Sequence, residues 1–501
     1  MKNLTNKDIE LIRESRLFSS DYYNNTYEDV SLSGIDPFDH FIRIGSHIGR
    51  EPNKLFSNNY YLSQLQLDQN TNLSIPLLHY LNHGWRENKN PHPDFDVSFY
   101  LNNNSDVKDA DLEPLTHYLN NGQHEGRISH KETIDPSLIT TSISVVIPTH
   151  NRADALPSTV HALFASASDL DIEVIIVNDG STDHTAEVMR SLKNLYPNIS
   201  TITIENQGAG VARNHGASLA CKDVILFIGD DIIPASHDFL AAHVKYHQFN
   251  SSLDFAVLGK VDWPADACFN ITPVMRHIQG PGGEQFGYAD MQPYRSWDWR
   301  FFYTCNVSVK RKIVADWLIQ GFSPAFKGCG FEDGEFAYRM GKTHGTFRIL
   351  YIDESVGHHY HRHTVDSFLR RQRLCGAMAQ VLIDAHPELI WASGFGEVHE
   401  TLHSGSTEDL QSIQLNMSMA ESLFSWVKLL EHDGNLGDEK WHKQLLHSVF
   451  RIASLLGFLE CASTPLSSYS SALKYVLNSS CQELINILPK NNWSNFGFTE
   501  K

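Results

Sequence analysis

Two adjacent aspartates, Asp230 and Asp231, follow the apolar run VILFIG at Val224–Gly229. A short continuous apolar run reads as a strand buried on both faces, and a bare pair of acids at its end is costly unless something neutralises it. Two more apolar runs end in polar residues. ISVVIPT (Ile143–Thr149) carries Pro148 and Thr149 at its end and is followed by His150, Asn151 and Arg152. IEVIIVND (Ile172–Asp179) ends in Asn178 and Asp179, ahead of Gly180 and Ser181. In an open parallel sheet, ligands bind beyond the carboxyl ends of the strands, where strand order reverses. The three sets are therefore expected on one rim. Three converging carboxylates repel one another, so the rim calls for a cation. Mg2+ and Mn2+ fit, because hard ions take carboxylate oxygens, keep water ligands and bridge to phosphate.

A second acidic group lies far downstream in GCGFEDGEFAYRM (Gly328–Met340). Phe336, Ala337 and Met340 fall on one helical face, which puts Glu332 and Asp333 at the amino end. A carboxylate there stays ionised and oriented and can take a proton from an attacking hydroxyl; the plainer reading is a helix cap. Glu335 is expected to face away from Asp333. The run HHYHRH (His358–His363) follows the apolar strand FRILYIDESVG, and a histidine there can add a neutral nitrogen ligand to the same metal. Alternation along a strand sets His359 and His361 on the face opposite His358. A separate zinc site of His359, His361 and His363 is the weaker alternative, because H-x-H alone is a weak metal signal. Trp297 and Trp299, in SWDWRFFY, can stack on a sugar ring or pack in the core. Of Arg370, Arg371 and Arg373, one can clamp an anion, although a solvated helix face explains all three.

The elements that must position these residues alternate. From Ile143 onward, apolar strands are separated by amphipathic helices of about a dozen residues, which predicts a parallel sheet covered on both faces. Neither GxGxxG nor GxxxxGK[ST] follows the first strand, so dinucleotide oxidoreductase and P-loop readings are weak. A nucleotidyltransferase, which also uses a sheet rim, a metal and aspartates, would want a basic glycine-rich loop where PTHNRADAL stands. Upstream, Phe18, Phe56 and Phe95 open three units in steps of 38 and 39 residues. Pro37, Pro76 and Pro114, then His40, His79 and His117, then Gly45, Gly84 and Gly122 follow in register. A period of this size predicts stacked helix-turn-helix units. Downstream, DSFLRRQRLCGAMAQVLIDAH, ESLFSWVKLLEH and HKQLLHSVFRIASLLGFL read as helices. They are expected to pack on the core or on a second copy, with LLGFL open to a membrane-surface reading as well.

Composition narrows the classes further. With 40 Lys+Arg against 59 Asp+Glu, the formal charge is −19, which argues against nucleic acid as a partner. The seven cysteines contain no CxxC pair, which fits a reduced, cytoplasmic setting. No apolar run approaches the ~20 residues needed to cross a bilayer, so any membrane association is expected to be peripheral, at the inner face.

Six segments taken together carry a resemblance: SVVIPTHNR, VIIVNDGSTDHT, NQGAGVARNHG, LFIGDDI, GCGFEDGEFAYRM and SVGHHY. In this order, across roughly residues 142–385, the chain resembles the nucleotide-sugar glycosyltransferases of family 2. The resemblance implies a GT-A fold, an α/β domain with a Rossmann-like, mostly parallel sheet. It would occupy residues 135–385, between a helical repeat domain (1–134) and a C-terminal helical region (386–501). It further implies transfer of a sugar from a nucleotide-diphosphate donor, most often a UDP-sugar, to a hydroxyl of a glycan or glycoconjugate. Pro148, Thr149, His150 and Asn151 would line the base pocket. Asp179 would bind the base edge, Arg213 the base or diphosphate, and Asp230 the ribose. Asp231 and His358 would ligate Mn2+ or Mg2+. Asp333 would be the base of an inverting displacement, and Glu332, with Trp297 or Trp299, would hold the acceptor. Where relatives often carry a third aspartate, this chain has Gly229, which leaves the division of labour between Asp230 and Asp231 open. The alternative from another class is a glycan-binding or scaffold protein that retains the fold. The repeats and the C-terminal helices are candidate surfaces for a protein partner or a second copy.

Overall fold

The apolar runs become strands where a buried, β-branched backbone can pair on both sides. In the computed structural model, the described residues are 5–27, 29–30, 35–65, 75–131, 139–167, 170–250, 252–265, 269–313, 321–345, 347–396 and 410–461. Most of the polar stretch expected to separate repeats from sheet, and everything after residue 461, lie outside them. The chain divides into two units. One comprises Met1–Ile134 with Gln292–Ser296, and the other Asp135–Met291 with Trp297–Lys501.

The first unit explains its own period. Short helices at Pro37–Arg43, Pro76–His79 and Pro114–His117 each begin on proline, whose fixed φ and missing N–H suit a first helical position. The histidine of each repeat binds a tyrosine from an earlier helix of the same repeat. Tyr23–His40, Tyr61–His79 and Tyr100–His117 are hydrogen-bonded at 3.1, 2.7 and 2.9 Å. The three tyrosines are fully buried. The glycine of each repeat leaves room for that hydroxyl: a Cβ on Gly45, Gly84 or Gly122 would lie 1.8, 1.9 or 2.3 Å from it. The shared landmarks are thus a Tyr–His–Gly packing unit. Gly84→Ala is expected to expel the Tyr61 hydroxyl and destabilise this unit by about 1–3 kcal/mol. A urea titration of the full chain followed by circular dichroism would show the earlier transition, and an unchanged midpoint would refute the packing account.

In the second unit, among the described residues, a nine-stranded sheet has eight strands along its main path: β1 (Ile143–Thr149), β2 (Ile172–Asp179), β3 (Ile199–Ile204), β4 (Val224–Ile228), β5 (Ile232–Pro234), β6 (Phe255–Asp262), β7 (Asn306–Lys310) and β8 (Arg348–His359). They run in the order β3-β2-β1-β4-β7-β6-β8-β5. β3, β2, β1 and β4 are mutually parallel. β7 is antiparallel to both β4 and β6, while β6 and β8 are parallel. This is an α/β sheet of the kind expected. Strand order reverses at β1, which lies between β2 and β4, so their carboxyl ends form the crevice that open sheets use for ligands.

The helix Val365–Ala385 does not stay with the sheet. Its Val365, Phe368 and Leu369 share a core with Leu445, Val449 and Phe458 of the helix Lys440–Cys461, and with Trp263, Val274 and Ile278. A Cβ on Gly376 would meet the Ser454 carbonyl at 1.7 Å, and one on Gly457 would meet the Arg373 carbonyl at the same distance. The two helices therefore cross backbone to backbone at paired glycines. The expected boundary at 385 falls inside this core. LLGFL is buried in it, with Leu455, Leu456, Phe458 and Leu459 at 5% exposure or less, so it is a packing stripe. Among the described residues no helix is long and apolar enough to cross a membrane.

Candidate active site

The loops after β1 and β2 are tied to each other. Asn151, in the left-handed region at φ 54°, donates its backbone N–H to Ser181 Oγ at 2.9 Å and accepts from the Thr182 N–H at 2.8 Å. His150 Nδ1 donates to the Asp179 carbonyl at 2.7 Å. The Asp179 carboxylate accepts the backbone N–H of Gln207 and of Gly208, at 2.8 and 2.9 Å. It therefore anchors the turn into the helix Ala209–Leu219, and any ligand contact it makes is additional. Pro148, Thr149, His150, Asp179, Arg213 and Asp230 line one cleft of about 280 Å³.

Asp230 and Asp231 have different surroundings. Burial, and then the charge of Asp231, push Asp230 up to about 7. Asp231 is half-buried, and His359, His361 and Arg152 hold it well below the usual carboxylate range. Its Oδ2 lies 3.5 Å from His359 Nε2 and 3.4 Å from His361 Nδ1. These three side chains can hold one metal ion, since their ligand atoms lie within 4.8 Å of one another. Trp263 stacks on the His359 ring, 5.2 Å away and 9° from parallel, and fixes its orientation.

His358 is not brought to this group. It pairs with Ile233 of β5, one position out of step with the Ile232–His359 pair, so alternation turns it to the other face. His359 and His361 stand in its place, on the face the alternation argument assigned to them. His363 packs beside them, buried, with no partner on either ring nitrogen, but is not in the ligand group. Arg152 is the residue to which sequence reasoning gave no role. Its Nη1 donates to Asp231 Oδ2 at 2.9 Å and lies 3.2 Å from His361 Nδ1. A guanidinium thus supplies the positive charge at a site whose two nitrogens and one carboxylate oxygen suit a divalent cation.

Gly229 and Arg213 also line a second, larger cleft of about 810 Å³, together with Trp299, Thr304, Cys329, Glu332, Asp333 and Arg371. The two acids open the helix Glu332–His344 after a strained turn, with Gly330 at φ 101° and Phe331 at φ 67°. A left-handed phenylalanine costs roughly 1–3 kcal/mol and marks an over-determined turn. Burial, and then the charge of Glu332, raise Asp333 to about 7. The Gly334 N–H donates to Asp333 Oδ1 at 2.9 Å. Glu332 accepts from the Gly330 N–H at 3.0 Å and pairs with Arg213 Nη1 at 3.4 Å. Glu335 turns away, as expected, into Arg339 and His386, at 2.6 and 3.0 Å.

The remaining candidates separate. Trp299 lines the larger cleft, whereas Trp297 packs on Phe301, with 4.8 Å between ring centroids, and is not among the cleft-lining residues. Arg370 pairs with Asp366 and Arg373 with Glu460, which is the solvated-face reading. Arg371 lines the cleft instead, and its buried Nε has no hydrogen-bond partner.

The family model described as "Glycosyl transferase family 2" matches residues 144–318. Validoxylamine A glucosyltransferase of Streptomyces hygroscopicus subsp. jinggangensis is 29% identical, over 50% of this chain and 63% of its own length. An uncharacterized glycosyltransferase of Escherichia coli, YibD, is 32% identical, over 46% of this chain and 65% of its own. This chain thus spans less than two thirds of either relative. The solved mannosyltransferase PcManGT from Pyrobaculum calidifontis aligns over 77% of this chain and 98% of its own, at TM-score 0.38 and 15% identity.

Proposed function

We propose, from the match of residues 144–318 to the glycosyl transferase family 2 model, that the chain transfers a sugar from a nucleotide-diphosphate donor to an acceptor hydroxyl, with inversion. One observation carries this reading. Asp333 is a half-buried carboxylate that desolvation raises to about 7, in a cleft that shares Arg213 and Gly229 with the aspartate–histidine rim. A base with a pKa near the working pH suits removal of a hydroxyl proton. No second carboxylate is needed on the helix, because Glu335 is engaged elsewhere.

The smaller cleft takes the nucleotide. Pro148, Thr149, His150 and Asp179 frame the base, and Asp230 faces the ribose. Asp231, His359 and His361 would hold Mn2+ or Mg2+, which would supply charge neutralisation for the leaving diphosphate. Arg213 sits where the two clefts meet, and Arg371 offers a second guanidinium to an anionic group. Trp299 floors the acceptor's sugar, and Glu332 accepts from its hydroxyls. Asp333 takes the proton of the attacking hydroxyl and keeps it while the anomeric bond to the diphosphate breaks on the far side. The donor is most simply a UDP-sugar and the acceptor a glycan, with the reaction in the cytoplasm or at the inner membrane face.

Incubating the full chain with a panel of nucleotide sugars, with Mn2+ and with chelator, tests this reading. Release of nucleoside diphosphate from one donor, lost on chelation, is expected. A turnover product that retains the donor's anomeric configuration, read by NMR, would overturn inversion. Absence of both turnover and nucleotide binding would leave the scaffold reading.

A further inference from the structure

The second unit brings together another set of ligand-type side chains, which no step of the proposed reaction uses. His277 lies on the helix Pro273–Ile278, Glu284 in the loop that follows, and His447 on the helix Lys440–Cys461. One donor atom from each lies within 4.8 Å of the other two. Glu284 Oε1 is 2.8 Å from His447 Nδ1, and its Oε2 is 3.2 Å from His277 Nε2.

Three features set this group apart from an ordinary hydrogen-bonded triad. First, His277 Nε2 and Glu284 Oε2 are buried and face each other at 3.2 Å as an ion pair off ideal hydrogen-bond geometry, and no other group bonds either atom. Off that geometry the two desolvated atoms are only partly satisfied, and a cation ligated by both would complete them. Second, the spacing suits a metal. Tetrahedral Zn2+ with nitrogen and oxygen ligands at about 2.0–2.1 Å places those ligands about 3.3 Å apart, and two imidazoles with one carboxylate form a familiar ligand set. Third, the loop is fixed independently of any ion. The Gly283 N–H bonds the Gly280 carbonyl at 2.9 Å, and the Gln285 N–H bonds the Ile278 carbonyl at 3.0 Å. Glu284 is therefore held between the two histidines by backbone geometry, while His447, half exposed, gives an ion access from solvent.

We propose that His277, Glu284 and His447 bind one Zn2+ ion. The ion joins the helix Lys440–Cys461 to the Glu284 loop, which forms part of the wall of the larger cleft. Water completes the coordination. The site is separate in sequence and residues from the Asp231 group, and its existence does not depend on the reaction assigned to that group.

The test is a difference in metal content. The full chain is stripped with chelator, reloaded with Zn2+, passed through gel filtration and measured by mass spectrometry of the metal. Asp231 and its histidines can take zinc too, so the quantity read is parent minus variant. His447→Ala is expected to lose one equivalent of zinc per chain, and so is Glu284→Gln. Alanine favours the helix and His447 is half exposed, so the first variant should keep its fold; Glu284→Gln keeps the side-chain shape should the first one not. Zn2+ well above its dissociation constant is expected to raise the parent's melting midpoint about 5 °C more than that of either variant. Equal zinc content in parent and both variants, whether zero, one or two equivalents, overturns the proposal.

Discussion

Asp333→Asn is expected to lower the rate of sugar transfer by about 10²–10⁴-fold, the range over which a positioned base acts. Binding of the nucleoside diphosphate should be nearly unchanged, because Asp333 lines only the larger cleft. The pH profile carries the same residue's signature. Since burial raises Asp333 to about 7, the side chain is protonated below that pH and inactive as a base. The parent's kcat/KM should rise about tenfold per pH unit up to about 7 and then level off. Stability should run the other way. A carboxyl whose folded pKa is raised binds its proton more tightly in the folded chain, so its contribution is lost as pH rises from the unfolded value, near 4, through about 7. The amide does not titrate. The variant should therefore be at least as stable as the parent at pH 8, which separates lost chemistry from lost fold. A variant that keeps full activity, or a flat parent profile between pH 5.5 and 7.5, would remove Asp333 from the role of base.

What the sequence made legible follows from how local each signal is. The buried strands were readable because VVI, VII and LF runs need no distant partner to look apolar, and their carboxyl ends fixed Thr149, Asp179 and Asp230 on one rim. The repeat was readable from its period, but its meaning was not. That Tyr61, His79 and Gly84 meet requires knowing that the hydroxyl folds back over the glycine. The choice among the histidines turned on register. Which of His358 and His359 faces Asp231 depends on where β5 pairs with β8, a one-residue matter that flips every side chain. Arg152 was hidden for another reason. Its partners Asp231 and His361 are 79 and 209 residues away, and an arginine after a strand end carries no mark of them. Where the helix Val365–Ala385 packs was not legible, because it follows the sheet's last strand closely in sequence, whereas its apolar face and Gly376 pack on the helix Lys440–Cys461.

The histidines supply the second large effect. Asp231→Asn, His359→Ala and His361→Ala are each expected to reduce Mn2+-dependent turnover by about three decades, since a metal that neutralises leaving-group charge is worth several kcal/mol. His358→Ala should stay within about threefold of the parent, because the strand turns this half-buried side chain away from the Asp231 group. The contrast between neighbours is the useful part. A metal held by His358 would produce the opposite order, and that order would return the assignment to the one the resemblance suggested. Arg152 adds a quantitative handle. Its guanidinium hydrogen-bonds Asp231 and touches His361, so it competes with a cation for the same oxygen. A charge-assisted hydrogen bond is worth about 1.5–3 kcal/mol, which is about tenfold or more in an apparent dissociation constant. Arg152→Gln should therefore lower the Mn2+ concentration that half-saturates binding by about tenfold, measured by titration calorimetry in the absence of nucleotide. An unchanged or higher midpoint would mean that the arginine and the metal do not share the site. The Asp231 carboxylate would then be held by His359, His361 and Arg152 without an ion, and the rim would need no metal to exist.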